Sequence, residues 1–395
     1  MRLDGIPLWD GTEYRGPVDL TWEPDRITGI DTAPARHAGL CVLPGLVDTH
    51  VHLVGYAGDG EPPDFATWPL TTTRDEQVLH GVAHAQKAMR NGVTTLRDLA
   101  GDEAQVALRR VFDAGVLPGP RIQVHGVVGM TAGHNDLFVP PSVPPPLRKP
   151  VADGPDECRK LVRTWARAGM DGIKLTTSGG VLSMGDKNAW RNYTRDEIRA
   201  VIDEAHALGM PVAAHAHSEE GIRVAVEEGV DSIEHGTLLS RDLAETLAAR
   251  GTPVAPTLLI NEAIAEGRVP VTPHAKAKAA ELVATRDVLL AQAAALGVRF
   301  VLGTDANGHH VRFGDQLAEV VHMTRILGMS AEAALRAATS DAADALGMPV
   351  GRIEEGLGAD MIVLRGRPWE NIEDLATENI VAVVSRGRVV AGRLP

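Results

Sequence analysis

Two histidines separated by one residue close the apolar run LPGLVDTHVHL, at His50 and His52. In an extended strand, residues two apart point to the same side. The pair can therefore hold one metal ion together from a strand end, and imidazole is the commonest metal ligand. Further metal-capable groups close similar runs: His215 in PVAAHAH, His235 in SIEHG and Asp305 in RFVLGTD. Lys174 lies inside GIKLTT. An ammonium cannot ligate a metal, and desolvation pushes a buried lysine toward its neutral amine. A neutral amine can add CO2 to give a carbamate, whose two oxygens can bridge two divalent ions. The alternative is a lysine paired with a carboxylate, the usual company of a buried cation.

Eight short apolar runs must position these groups: residues 45–53, 93–99, 121–127, 172–177, 211–217, 232–236, 253–258 and 299–305. Helical patterns such as EQVLHGVAHAQKAMRNG alternate with them. Most runs follow a glycine turn, as in RNGVTTL, RAGMDGIKL, ALGMPVAAH, EEGVDSIEH and ALGVRFVLG. Glycine just past a helix is the expected stop signal. Alternating strands and helices imply a parallel sheet, and eight such units over about 300 residues predict an α/β fold of the (β/α)8 TIM-barrel type. In that fold the chemistry resides at the C-terminal ends of the strands, where all six residues fall. Both chain ends read instead as short strands and turns, and are expected to pair into one small β-sandwich domain. The division is then residues 1–43 and 349–395 for that domain, with 44–348 for the catalytic barrel. Residues 130–153, with VPPSVPPPLRKP, read as a long loop after the third strand, because proline density resists regular structure.

Composition bounds the rest. A net charge of -13 argues against a nucleic-acid partner, which needs a basic surface. Two cysteines, Cys41 and Cys158, suggest neither a disulfide framework nor a CxxC metal site. The start MRLDGIPLWDG lacks a basic segment and apolar core of a signal peptide, and no run of about 18 apolar residues could span a membrane. A soluble cytoplasmic protein without membrane partner is expected.

The segments LPGLVDTHVHL, GIKLTTSGGVLSMGD, AAHAHSEEGI, DSIEHGTLL and VLGTDA resemble the metal-dependent amidohydrolase superfamily. The nearer resemblance is to its imidazolonepropionase-related branch, with its Xaa-Pro dipeptidases and Xaa-Arg or Xaa-Lys carboxypeptidases. It covers nearly the whole chain, EEGLGADMIVLRGRPWENI included. The resemblance implies that His50, His52 and Asp305 hold one ion, that His215 and His235 hold a second, and that carboxylated Lys174 and a hydroxide bridge them. Zinc is the expected ion, since it suits imidazole and carboxylate. The implied reaction is attack of the metal-bridging hydroxide on an amide carbonyl, with Asp305 moving the proton to the leaving amine.

Substrate signals lie on loops. TAGHND carries His134 in a Gly-His element that resembles a GHGD-like motif of the branch, with Asn135 where glycine is more usual. NAWRNYT supplies Arg191 and Tyr193, in a place where relatives often have Phe-Ser instead of Tyr193-Thr194. His217 shares the side of its strand with His215. His134, Arg191, Tyr193 and His217 are the candidate contacts to a carboxylate on the substrate. The expected substrate is a dipeptide or N-acyl amino acid. One rival is a mononuclear deaminase of the same superfamily, with HSEE (His217 to Glu220) as an HxxE element. The strand end is His215, however, which would put Ser218 at the shuttle position. A more remote rival is a non-catalytic relative used for binding or assembly, but none of the ligands is missing. Homo-oligomerisation is left open.

Overall fold

The structure, a computed structural model, describes residues 1–395, the side chain of Pro146 excepted. Fourteen strands fall into two seven-stranded sheets. The first is built from both ends of the chain: β1 (Arg2–Trp9), β2 (Tyr14–Glu23), β3 (Arg26–Thr32) and β4 (Leu40–Pro44), with β12 (Met361–Arg365), β13 (Ile380–Ser385) and β14 (Arg388–Gly392). Its order is β14-β13-β12-β4-β1-β2-β3. Leu20 and Trp22 from one end share a core with Val363 and Val384 from the other. Trp22 Nε1 donates to Gly387 O at 3.1 Å, and Ile27 N to Leu357 O at 3.0 Å. The sheet thus curls its two halves over one apolar interior.

The second sheet is parallel and follows chain order: β5 (Leu46–Val51), β6 (Val93–Gly101), β7 (Arg121–Val128), β8 (Gly172–Thr176), β9 (Val212–Ala216), β10 (Ser232–His235) and β11 (Val254–Ala255). Helices pack outside it. Their starts carry the expected caps: Thr73 with Glu76, and Thr194 with Glu197, form reciprocal capping boxes. The five glycines read as stops, Gly92, Gly169, Gly209, Gly229 and Gly297, all have positive φ.

The expected eighth strand differs. Residues 299–305 occupy the gap between β11 and β5 but form no regular strand. Phe300 and Ala306 make isolated parallel bridges to Val254 and Val51. Thr49 N donates to Leu302 O at 2.9 Å, and Asp305 N to His50 O at 2.8 Å. Between these bonds Thr304 N turns to the Asp48 side chain at 3.1 Å, and Thr304 Oγ1 to the other carboxylate oxygen at 2.6 Å. A side chain thus takes a donor that a strand ladder needs. The barrel is nearly closed, with seven regular strands.

Strand alternation sorts the side chains. In β8, Ile173 and Leu175 join the core under the helices, whereas Lys174 and Thr176 face the cavity at the barrel mouth. Below that mouth the interior holds a buried ion pair. Arg97 NH2 lies 2.7 Å from Glu234 Oε1, and its Nε donates to Thr49 O at 2.6 Å. Among the described residues no helix is long and apolar enough to cross a membrane.

Candidate active site

The C-terminal mouth of the barrel opens into a cavity of about 700 Å3. His50, His52, Lys174, His215, His235 and Asp305 all line it, as do His134 and His217. Donor atoms of His50, His52 and Asp305 lie within 4.8 Å of one another, and so do those of His215, His217 and His235. Asp305 Oδ1 stands 3.0 Å from His52 Nε2 and 3.7 Å from His50 Nε2. The two groups adjoin, with the His50 and His235 rings 5.1 Å apart. His217 thus falls with His215 and His235, a placement that strand spacing alone could not distinguish from substrate contact.

Backbone strain accompanies the arrangement. His235 and Asp305 have φ of 70° and 57°, and Thr257, beside His235, has 47°. Non-glycine residues in this region cost on the order of 1–3 kcal/mol and persist where surrounding structure enforces them.

Hydrogen bonds aim the rings. His217 Nδ1 and His235 Nδ1 each lie 2.7 Å from a threonine hydroxyl, Thr237 and Thr257 respectively. Glu234 Oε2 stands 2.9 Å from His50 Nδ1, and this carboxylate is held in turn by Arg97 and by Ser232 Oγ at 2.7 Å. His134 stacks on His215 at 4.2 Å. Its Nδ1 lies 2.8 Å from Ser183 Oγ, which donates to Asp186 at 2.7 Å, and Lys278 Nζ closes the chain on Asp186 at 2.7 Å. A Cβ on Gly180 would stand 2.1 Å from the His134 ring, so only glycine permits this seat.

Burial sets the charges. It pushes His50 down to about 4 and His217 to about 3, and holds His215 and His235 well below the ordinary imidazole value. The rings are therefore neutral near pH 7 and their lone pairs are free to ligate. Burial also raises Asp305, but His50 and His52 outweigh it and keep the carboxyl ionised. Lys174 is lowered to about 8 by burial, against the opposing pull of Glu234 and Asp305. Its Nζ lies 3.3 Å from His50 Nε2. Among the described residues no carboxylate comes within the 4.0 Å of an ion pair, so the paired-lysine alternative does not describe this site. Neutral imidazoles, an ionised carboxylate and an unpaired buried amine fit divalent ions.

Arg191 and Tyr193 lie elsewhere. Arg191 is exposed and pairs with Glu220 at 3.4 Å. Tyr193 is buried in the core, with its hydroxyl donating to Ala152 O at 3.0 Å. Neither lines the cavity, so the expectation that they bind substrate is corrected: both follow β8 in sequence but turn away from the barrel mouth.

Sequence reasoning missed Glu234, Arg97, Thr257 and the Ser183–Asp186–Lys278 chain. Glu234 and Arg97 did leave a signal, as charged residues inside short apolar runs. It also missed Glu319, which accepts from Leu258 N at 2.6 Å and Leu259 N at 2.9 Å and so caps the helix Leu258–Glu266 beside Thr257. Burial pushes this carboxyl up to about 7, against the two backbone bonds. The folded value exceeds the ordinary 4.5, so the folded state binds more protons between these two values. The contribution to stability is lost as pH rises through that window. Glu319→Gln removes the titration. Relative to the parent it is expected to gain up to about 3 kcal/mol between about pH 5 and pH 8, read from Tm at both values. An unchanged difference would contradict the assignment.

A parallel barrel with such a cluster at its C-terminal mouth is the architecture of a barrel hydrolase. The chain belongs to the Amidohydrolase family, which it matches over residues 41–390, and it is a hydrolase acting on carbon–nitrogen bonds. Among solved structures it is similar to a Xaa-Pro dipeptidase with bound methionine in the active site, at a TM-score of 0.87 and 30% identity over 98% of each chain. It is 29% identical to the ochratoxinase of Aspergillus niger over 376 residues, 89% of this chain and 76% of that one. It is also 25% identical to a 5-methylthioadenosine/S-adenosylhomocysteine deaminase of Halobacterium salinarum, covering 90% of this chain and 81% of the relative.

Proposed function

We propose that the chain is a two-metal amidohydrolase of small amides that bear a carboxylate, such as a dipeptide or N-acyl amino acid. The observation that carries the proposal is Lys174, a buried amine without a carboxylate partner, lying against one donor group and lining the same cavity as the other. His50, His52 and Asp305 would hold one ion, His215 and His235 the second, and a carbamate on Lys174, formed from CO2, would span them. Zinc suits this donor set. Bound divalent ions supply a Lewis acid for the scissile carbonyl and lower the pKa of water.

The protein's own groups do the remainder. Ionised Asp305, lining the mouth beside His50 and His52, takes a proton from the attacking water and returns it to the leaving amine. His134 and His217 offer polar contacts to the substrate from the cavity wall. The apolar lining limits bulk water, which strengthens these interactions. The barrel, residues 44–348, is assigned the chemistry, and the domain of residues 1–43 and 349–395 its support. A cytoplasmic location belongs to the same proposal; both cysteines are free thiols.

The similarity to a deaminase motivates the alternative, a mononuclear deaminase. Glu220, its candidate proton shuttle, is 52% exposed and paired with Arg191, which favours the hydrolase. The deciding experiment follows amine release from a panel of dipeptides and N-acyl amino acids by zinc-loaded protein, beside ammonia release from adenosine derivatives. Amine release is expected; ammonia release alone would overturn the proposal.

Glu234 gives a separate check. Glu234→Gln keeps the shape but removes the charge facing His50. It is expected to weaken metal binding about 10- to 100-fold, measured by chelator competition. Unchanged affinity would remove Glu234 from the account.

A further inference from the structure

Besides Lys174, the cavity wall carries three basic side chains: Arg74, Arg148 and Lys149. Two are engaged by the protein. Arg74 binds Asp102 and also Gln77 at 3.0 Å. Arg148 binds Val143 O at 2.6 Å, Pro141 O at 3.3 Å and Asp136 at 3.4 Å. Lys149 differs. Its Nζ donates to Ala100 O at 3.3 Å, and among the described residues no carboxylate lies within the 4.0 Å of an ion pair. An ammonium has three donors, so two remain for another partner. Burial lowers its pKa, against the field of Asp98 and with that of Arg74. The wall of the same cavity also carries apolar side chains, among them Leu99, Phe138, Leu161 and Trp165. A cavity of about 700 Å3 lies within the range of roughly 300–1,000 Å3 that takes drug-sized ligands.

We infer that Lys149 is the carboxylate anchor of the substrate site, and that the site takes amides joining an apolar, aromatic-sized body to a carboxylate. The inference rests on the amidohydrolase proposal above and assigns to Lys149 the role that Arg191 and Tyr193 cannot fill. A carboxylate bound there satisfies an ammonium that the protein leaves with a single partner. The apolar body covers the wall and excludes water from the ion pair, which strengthens it.

The test pairs each carboxylate with its neutral carboxamide. N-benzoyl-L-phenylalanine carries the carboxylate on the leaving amine; succinanilic acid carries it on the acyl side. For at least one pair, wild-type protein is expected to prefer the carboxylate by about 10- to 100-fold in kcat/KM. Lys149→Met should abolish that preference through KM, with kcat and metal content little changed, and Lys149→Arg should retain most of it. The pair that responds identifies the side of the amide that carries the anchor's partner. Preference in neither pair, or preference that survives in Lys149→Met, overturns the inference. Absence of hydrolysis would count against the hydrolase and not against Lys149. In that case calorimetric titration of the same compounds into the zinc-loaded proteins decides. Tighter carboxylate binding that is lost in Lys149→Met supports the anchor, and equal binding overturns it.

Discussion

Asp305→Asn is expected to lower kcat by at least about 1,000-fold while leaving the fold intact. Asparagine keeps the size of the side chain and tolerates the left-handed backbone at this position, where φ is 57°. The backbone bond from residue 305 N to His50 O, at 2.8 Å, is also retained. What disappears is a negative charge 3.0 Å from His52 Nε2 and 3.7 Å from His50 Nε2, together with the only carboxylate of the two donor groups that can accept a proton. The measurement is kcat on the best amide substrate, with Tm as a control. Activity within tenfold of wild type would place proton transfer elsewhere.

Lys174→Met is expected to be as damaging to hydrolysis, yet not to the metal-free fold. A buried amine with no carboxylate partner is a cost to the folded state, because its charged form loses hydration that nothing restores. Methionine fills similar space without that cost. The metal-free variant should therefore melt at or above the temperature of metal-free wild type, while kcat falls by about 1,000-fold or more. Opposite signs for stability and activity mark a residue kept for chemistry. Adding bicarbonate during metal loading should speed recovery of wild-type activity and leave the variant unchanged. A variant that is both less stable and still active would assign Lys174 to packing.

Much of this site was legible in the sequence because its signals are local. His50 and His52 sit two apart in one strand, and glycine stops mark where most of the strands begin. His215, His235 and Asp305 each close a short apolar run, so a barrel topology brings them to one mouth. The signals failed where contact depends on distant parts of the chain. Lys278 meets Asp186 across 92 residues and Arg97 meets Glu234 across 137, and no spacing rule announces either. The eighth strand was misread because a bond from Thr304 N to the Asp48 side chain competes with the ladder. Arg191 and Tyr193 were misplaced because following a strand in sequence does not fix the direction of a loop. Lys149 was passed over inside a proline-rich stretch that reads only as a long loop after the third strand, with no spacing to single out one of its residues.

The most direct test is metal content per chain, by plasma mass spectrometry, for wild type and Lys174→Ala purified without chelator after growth in supplemental zinc. Close to two equivalents are expected in the wild type and a clear loss in the variant, since the amine lies 3.3 Å from His50 Nε2 and lines the cavity that both donor groups share. About one equivalent, indifferent to Lys174, would contradict the bridged two-metal centre and bring the mononuclear deaminase forward.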